Sequence, residues 1–284
     1  MVDRSGPKKL VPRCFSGHRR VSITAYAVHP SRRLVISAEL IAPTPIAIGF
    51  TLLLLIGLPL LASRQALGEE ELRQIAASRP AVYLSAALSL GIIALVTLGV
   101  SLWQKMTPAS LGWRVDDPVI ALGLAIATTV VGLGIAWAVG RLGILAGLRE
   151  SPVGRALLPE GGLERRWFVL IAALAAICEE YIYRGFLLYA LWAWTGSPWL
   201  AAAITALSFG LAHGYQRLIG IARAGLLGFL LAIPVIFTGS IFAAIVAHFW
   251  INSAIGLGGW RWLMPEPDAT HLAEDPESGS GNER

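Results

Sequence analysis

Long apolar runs constrain this chain more than any other feature. A membrane-spanning helix needs about 20 predominantly apolar residues, and the sequence holds seven stretches near that length. They cover 45–62 (PIAIGFTLLLLIGLPLLA), 81–103, 119–139 with a short interfacial continuation to 148, 167–192, 199–213, 219–237 and 240–257. The composition agrees: 55% of residues are hydrophobic and only 14% are charged, where soluble domains carry about 25% charged residues. The expected fold is all-α, a polytopic transmembrane helical bundle of about seven (six to eight) spanning helices, with the lipid bilayer as its first partner.

The connections suit a bundle. SRQALGEEELRQIAASR, after the first run, reads as a polar loop with an amphipathic turn or two, and ESPVGRALLPEGGLERR, before the fourth, has the Pro, Gly and charges of a surface loop. Later links such as AWTGSP and TGS are very short, which makes neighbouring helices antiparallel and adjacent. Trp103, Trp167, Trp192, Trp194, Trp199, Trp260 and Trp262 fall near expected helix ends, where an aromatic belt belongs. No internal repeat and no second folded domain is visible. The organisation read from this pattern is a basic, disordered tail over 1–44, a bundle over 45–258 and an acidic, disordered tail over 259–284.

The sequence pI is about 9.6, but the charge is segregated and does not form a binding face. Residues 1–44 hold eight Lys and Arg against two acids, and residues 263–284 hold six acids against one Arg. The basic end reads as a tail beside a membrane, not as a nucleic-acid module. The first 40 residues contain no apolar core of a secretory signal. The basic tail places itself on the cytoplasmic side, whereas the Arg-bearing loops after the first and third runs would then face the other side, so the two counts oppose each other. Cys14 lies in the polar tail and Cys178 in an apolar run, which makes neither a disulfide framework nor a zinc ribbon.

Within the fourth run, LAAICEEYIYRGFLLY places Glu179, Glu180 and Arg184 in the hydrophobic interior. Each such charge costs roughly 2.5–3.5 kcal/mol at a helix centre on insertion scales. Glu179 lies twelve residues after Trp167, roughly 18 Å along a helix axis, well inside the bilayer. Glu180 and Arg184 are four apart and face each other. Glu179 is turned about 100° from Glu180, so a purely structural ion pair explains two of these charges but not the third.

Three of the five histidines, His18, His29 and His271, lie in the tails. The others are His213, which ends SFGLAH in the fifth run, and His248, in IVAHFWINSA in the seventh. Asn252 follows His248 by four residues and shares its face; Phe209 precedes His213 by four and reads as core packing. Chemically, Glu179 and His213 can activate a water as general base, while His248 and Asn252 can donate hydrogen bonds to an oxyanion. The same residue types also suit a zinc triad of Glu179, His213 and His248 with one open position, or a proton relay in a transporter.

In order, EEYIYR reads as EExxxR, FGLAH as FxxxH and HFWIN as HxxxN. Three such motifs on three hydrophobic helices resemble the CPBP family of intramembrane proteases, which includes the CAAX-processing endopeptidases and the bacterial Abi and bacteriocin-immunity proteins. The resemblance covers about residues 110–257, with TGSIFAAIVAHFWIN similar to the family's lead into its last motif. It implies an intramembrane endopeptidase acting on a membrane-associated peptide or protein. Glu179 and His213 would activate the attacking water, His248 and Asn252 would stabilise the oxyanion, and Glu180 and Arg184 would hold the site together. It also implies a metal-independent mechanism, with zinc as the alternative on the same residues, and the plasma (inner) membrane of a prokaryote as the location. A non-proteolytic immunity or scaffold role is a further alternative. Other intramembrane designs fit worse: no His is followed by Glu, so HExxH is absent, and neither a rhomboid GxSG serine nor a GxGD aspartate occurs.

Overall fold

A computed structural model describes residues 43–63, 69–259 and 261 of the chain. The expected disorder of both tails, the three tail histidines, Cys14, Trp260 and Trp262 fall outside the described residues. Helix α1 is Pro45–Ser63, α2 is Glu69–Ala77, α3 Arg79–Trp103, α4 Pro118–Leu145 and α5 the single turn Pro152–Ala156. Helix α6 begins as Gly162–Glu180 and runs on through a π-helical stretch, Tyr181–Leu187, into Leu188–Thr195. Helix α7 is Pro198–Ala212, α8 Arg217–Thr238 and α9 Phe242–Ala254, which ends in a π turn, Ile255–Gly259.

Four helices start on one local code. Thr44, Asp117, Ser151 and Ser197 each precede a proline, and each side-chain oxygen accepts a backbone N–H of the first turn. The cap satisfies an orphan donor, and the proline takes the position where its missing N–H costs nothing. At the other end, α8 stops at Gly239, whose φ of 68° admits a side chain only with strain.

Five helices among the described residues are long and apolar enough to cross a membrane: Pro45–Ser63, Arg79–Trp103, Pro118–Leu145, Gly214–Thr238 and Phe242–Gly259. Seven runs were expected. The two that fall short do so for different reasons: α6 carries too many charges, and α7 is only 15 residues long. One further expectation changes. The third run is one continuous helix to Leu145, with no separate interfacial piece before that point, while the amphipathic turns expected in the loop after the first run form the nine-residue helix α2.

Burial sorts the helices. Leu95, Val119 and Val130 on α3 and α4 are 65% exposed or more, a density of outward apolar surface that suits lipid and not water. Residues 180–192 of α6 are instead buried on every face. A helix apolar and enclosed all round lies at the centre of a bundle. The belt expectation fails at Trp192, which is 4% exposed and sits in the core, while Trp103, Trp167 and Trp199 do face outward.

Helix α8 packs on α7 and α4, α9 on α4 and α6, and α3 on α6. The α7–α8 crossing is close because it is glycine on glycine: a Cβ at Gly210 would lie 2.7 Å from the Ile221 carbonyl oxygen and 3.0 Å from the Gly225 Cα. Small residues let membrane helices approach to backbone contact, where packing takes over from the hydrophobic effect. The segment between α4 and α6 is fastened at both sides. Arg79 Nε donates to the Ala156 carbonyl at 2.8 Å, Arg79 Nη2 to Glu160 at 2.7 Å and the Tyr83 hydroxyl to the Leu157 carbonyl at 2.6 Å. Ser151 Oγ donates to the Tyr215 carbonyl at 2.8 Å, and Arg223 pairs with Glu150. Glu164, in the polar first turn of α6, accepts from the Glu160 and Gly161 N–H groups. The Glu160 N–H above all, with that of Gly161 and Arg79 beside it, holds the Glu164 carboxyl below the usual carboxylate range, against a smaller opposing effect of burial.

Candidate active site

Glu179 and Glu180 end the regular part of α6, and the helix widens into its π stretch at the next residue. Such stretches occur often at functional sites. The wider turn is packed by small groups: at Gly185 a Cβ would stand 3.0 Å from the Leu111 carbonyl oxygen. It still brings Arg184 back over Glu180. Arg184 Nη1 donates to Glu180 Oε1 at 2.8 Å and Nη2 to the Gly228 carbonyl of α8 at 2.6 Å.

The expected Glu180–Arg184 pair is therefore present, but it is not self-contained. Glu180 Oε1 also accepts from His248 Nδ1 on α9 at 2.7 Å. Three helices, α6, α8 and α9, meet on this one buried network. A carboxylate only accepts, so the proton of this bond belongs to His248 Nδ1. The other ring nitrogen, Nε2, faces Glu179 Oε2 at 3.8 Å, too far for a direct hydrogen bond. Glu180 is fully buried and the Glu179 side chain is 15% exposed, so the 100° between neighbours separates an inner carboxylate from one with an open side.

His213 caps α7. Its Nδ1 lies 2.8 Å from the Phe209 carbonyl. A carbonyl cannot donate, so Nδ1 carries the proton and the neutral ring presents a lone pair at Nε2. Phe209 does more than fill the core. Its ring lies 4.7 Å from the His213 ring and 6.1 Å, edge to face, from His248, and the Arg184 guanidinium carbon stands 5.0 Å from its centre. A cation over an aromatic face is attracted by the ring quadrupole.

Glu179, Phe209, His213, His248 and Asn252 all line one cavity of about 490 Å³. Glu180 and Arg184 stand behind its wall. Phe168, Ile171, Leu227 and Ile251 line much of the remainder, so the cavity is mostly apolar with a few polar groups in its wall. Tyr215, Gln216 and Arg223 also line it, and sequence reasoning passed over all three. Tyr215 carried a usable signal, an aromatic hydroxyl two residues beyond His213 in AHGYQ. Arg223 carried none, because its role depends on Glu150, 73 residues away.

The zinc alternative asks whether Glu179, His213 and His248 can share one ion. Among the described residues, no three His, Cys, Asp or Glu side chains are grouped to hold a metal. His248 Nδ1 donates to Glu180 and His213 Nδ1 to a carbonyl, so Nε2 is the nitrogen each ring could offer an ion, but the three side chains are not grouped around one point. The residues present do not form a zinc site in this arrangement, and no step below is routed through a metal.

A family model described as Type II CAAX prenyl endopeptidase Rce1-like matches residues 163–254. Those residues thus carry a CAAX protease/CPBP (Rce1-like) family domain. The matched segment is shorter than the 110–257 of the motif resemblance, since it starts at α6, and it includes all seven residues singled out above. Comparison with curated proteins and with solved structures gives no match.

Proposed function

We propose that this protein is an intramembrane endopeptidase that hydrolyses a peptide bond of a membrane-associated substrate with a water activated by Glu179 and His213. The observation that carries this reading is the convergence of Glu179, His213, His248 and Asn252, from α6, α7 and α9, on one mostly apolar cavity. An apolar cavity with a few convergent polar groups is the usual form of a binding site.

The chemistry follows from hydrogen-bond capacity. The water stands beside Glu179 and the His213 Nε2 lone pair, and loses a proton to them as its oxygen attacks the peptide carbonyl carbon. The carbonyl oxygen gains negative charge and accepts hydrogen bonds from His248 and Asn252. The C–N bond then breaks and the proton passes to the leaving amine, giving a new carboxyl and a new amino terminus. Glu180 and Arg184 act through His248: Glu180, balanced by the Arg184 guanidinium, accepts from Nδ1, and a second ring proton on Nε2 makes the donor for the oxyanion. Deep in the bilayer this balance matters more than at a surface, because an uncompensated charge there is costly. The apolar lining of the cavity accepts the hydrophobic part of the substrate as it enters from the bilayer or its edge. Membrane proteolysis in a prokaryotic inner membrane is the setting that agrees with this reading.

Comparing membrane-protein termini in cells carrying the wild type with those carrying Glu179→Gln tests the proposal. New termini that depend on Glu179 are expected; identical termini at equal amounts of inserted protein overturn it.

A further inference from the structure

Among the described residues, the Tyr215 hydroxyl is a donor whose proton has no acceptor. Tyr215 lies in the 3₁₀ turn Gly214–Gln216 that follows His213. Its ring stacks on His213, with centroids 6.0 Å apart and planes 30° from parallel. Its backbone carbonyl is held by Ser151, itself 3% exposed. Gln216 Nε2 donates to the hydroxyl oxygen at 3.0 Å. That bond fills an acceptor position and leaves the phenolic proton to be donated elsewhere. Among the described residues the hydroxyl has no other hydrogen-bond partner. Tyr215 and Gln216 both line the cavity, as Glu179 does.

Gln216 is held in turn. Gly220, one helical turn on in α8, leaves the space it occupies: a Cβ there would collide with the Gln216 Cβ and stand 2.9 Å from its Oε1. The tyrosine is thus fixed at its carbonyl, its ring face and its hydroxyl. Donors fixed before the reaction pay no reorganisation when charge develops, which is why they stabilise a transition state.

Resting on the proteolytic reading above, the geometry points to Tyr215 as a further catalytic residue, whose hydroxyl donates a hydrogen bond to the substrate peptide as charge grows on its carbonyl oxygen. No bond to Tyr215 is made or broken; the acceptor its proton lacks among the described residues is supplied by the substrate. Gln216 and Gly220 are positioning residues for this donor.

The test uses the full chain in membranes, with the membrane fraction's own proteins as probe. The rate at which new termini appear is compared for wild type, Glu179→Gln, Tyr215→Phe and Gly220→Ala at equal amounts of folded protein. Phenylalanine keeps the ring on His213 and removes only the hydroxyl. Tyr215→Phe is expected to slow the Glu179-dependent termini about 10²-fold, with an unchanged thermal midpoint. Gly220→Ala is expected to slow them less, through Gln216 with Tyr215 intact. If Tyr215→Phe cuts at the wild-type rate while Glu179→Gln does not cut, this inference fails alone and the proteolytic reading stands. If Tyr215→Phe does not fold, a wild-type rate in Gly220→Ala overturns the inference and a slowed rate supports it. If Glu179→Gln yields the same termini as wild type, the proteolytic reading fails and this inference with it.

Discussion

Two buried arginines, Arg184 and Arg79, meet glutamates in quite different ways. Arg184 and Glu180 lie in mid-helix, with side chains 2% and 0% exposed. Arg79 is 7% exposed, but its partners Glu160 and Glu164 are 76% and 23% exposed. The outer cluster fastens a chain segment. Arg79 spreads its guanidinium over a carbonyl and two carboxylates at the head of α3, and the charges of its partners reach water. The inner cluster fastens a side chain. Glu180 Oε1, held by Arg184, also accepts from His248, and His248 faces a cavity. Burial of an arginine alone does not separate a strut from a site; what its carboxylate partner touches next does.

The comparison can be broken at several points. Glu179→Gln is expected to abolish cleavage, and His213→Ala to slow it by 10²–10⁴-fold, each with normal membrane insertion; cleavage assays on isolated membranes check both. Removing one partner of the inner pair, by Arg184→Met or Glu180→Gln, leaves a buried group uncompensated and is expected to cost about 3–5 kcal/mol of stability, read as a large fall in thermal midpoint together with lost activity. Asn252→Ala removes one expected oxyanion donor and is expected to slow cleavage about 10²-fold with little change in midpoint. In the outer cluster, Arg79→Leu breaks hydrogen bonds that are partly wet and is expected to cost about 1–2 kcal/mol, with cleavage retained at low temperature.

Acid gives the smallest effect. The Glu164 carboxyl is held low in the folded protein, so its contribution to stability is present above the ordinary glutamate range and is lost as pH falls through the depressed folded value. The junction between α3 and α6 is therefore expected to loosen below about pH 4, and Glu164→Gln is expected to remove that part of the pH dependence. Hydrogen exchange at residues 156–164 reads it directly.

Much of this organisation was legible in the sequence because it depends on local spacing. Apolar run length gave the helices of the bundle, and a separation of four placed Arg184 over Glu180. What spacing along one helix cannot give is a partner on another. The Glu180–His248 bond joins residues 68 apart and changes the reading of the pair from self-contained to a support for the histidine. The Tyr215–Ser151 and Arg223–Glu150 links are similarly long-range. Trp192 misled for a related reason: nearness to a helix end suggested the membrane interface, but residues 180–192 of α6 are enclosed, and Trp192 is the last of them.

The most direct test of the account supplies labelled water. Purified wild-type protein and Glu179→Gln are reconstituted into liposomes with solubilised membrane proteins in H₂¹⁸O, and the fragments are read by mass spectrometry. The account predicts new carboxyl termini carrying ¹⁸O with the wild type and none with Glu179→Gln. Labelled termini formed equally by both proteins would contradict it.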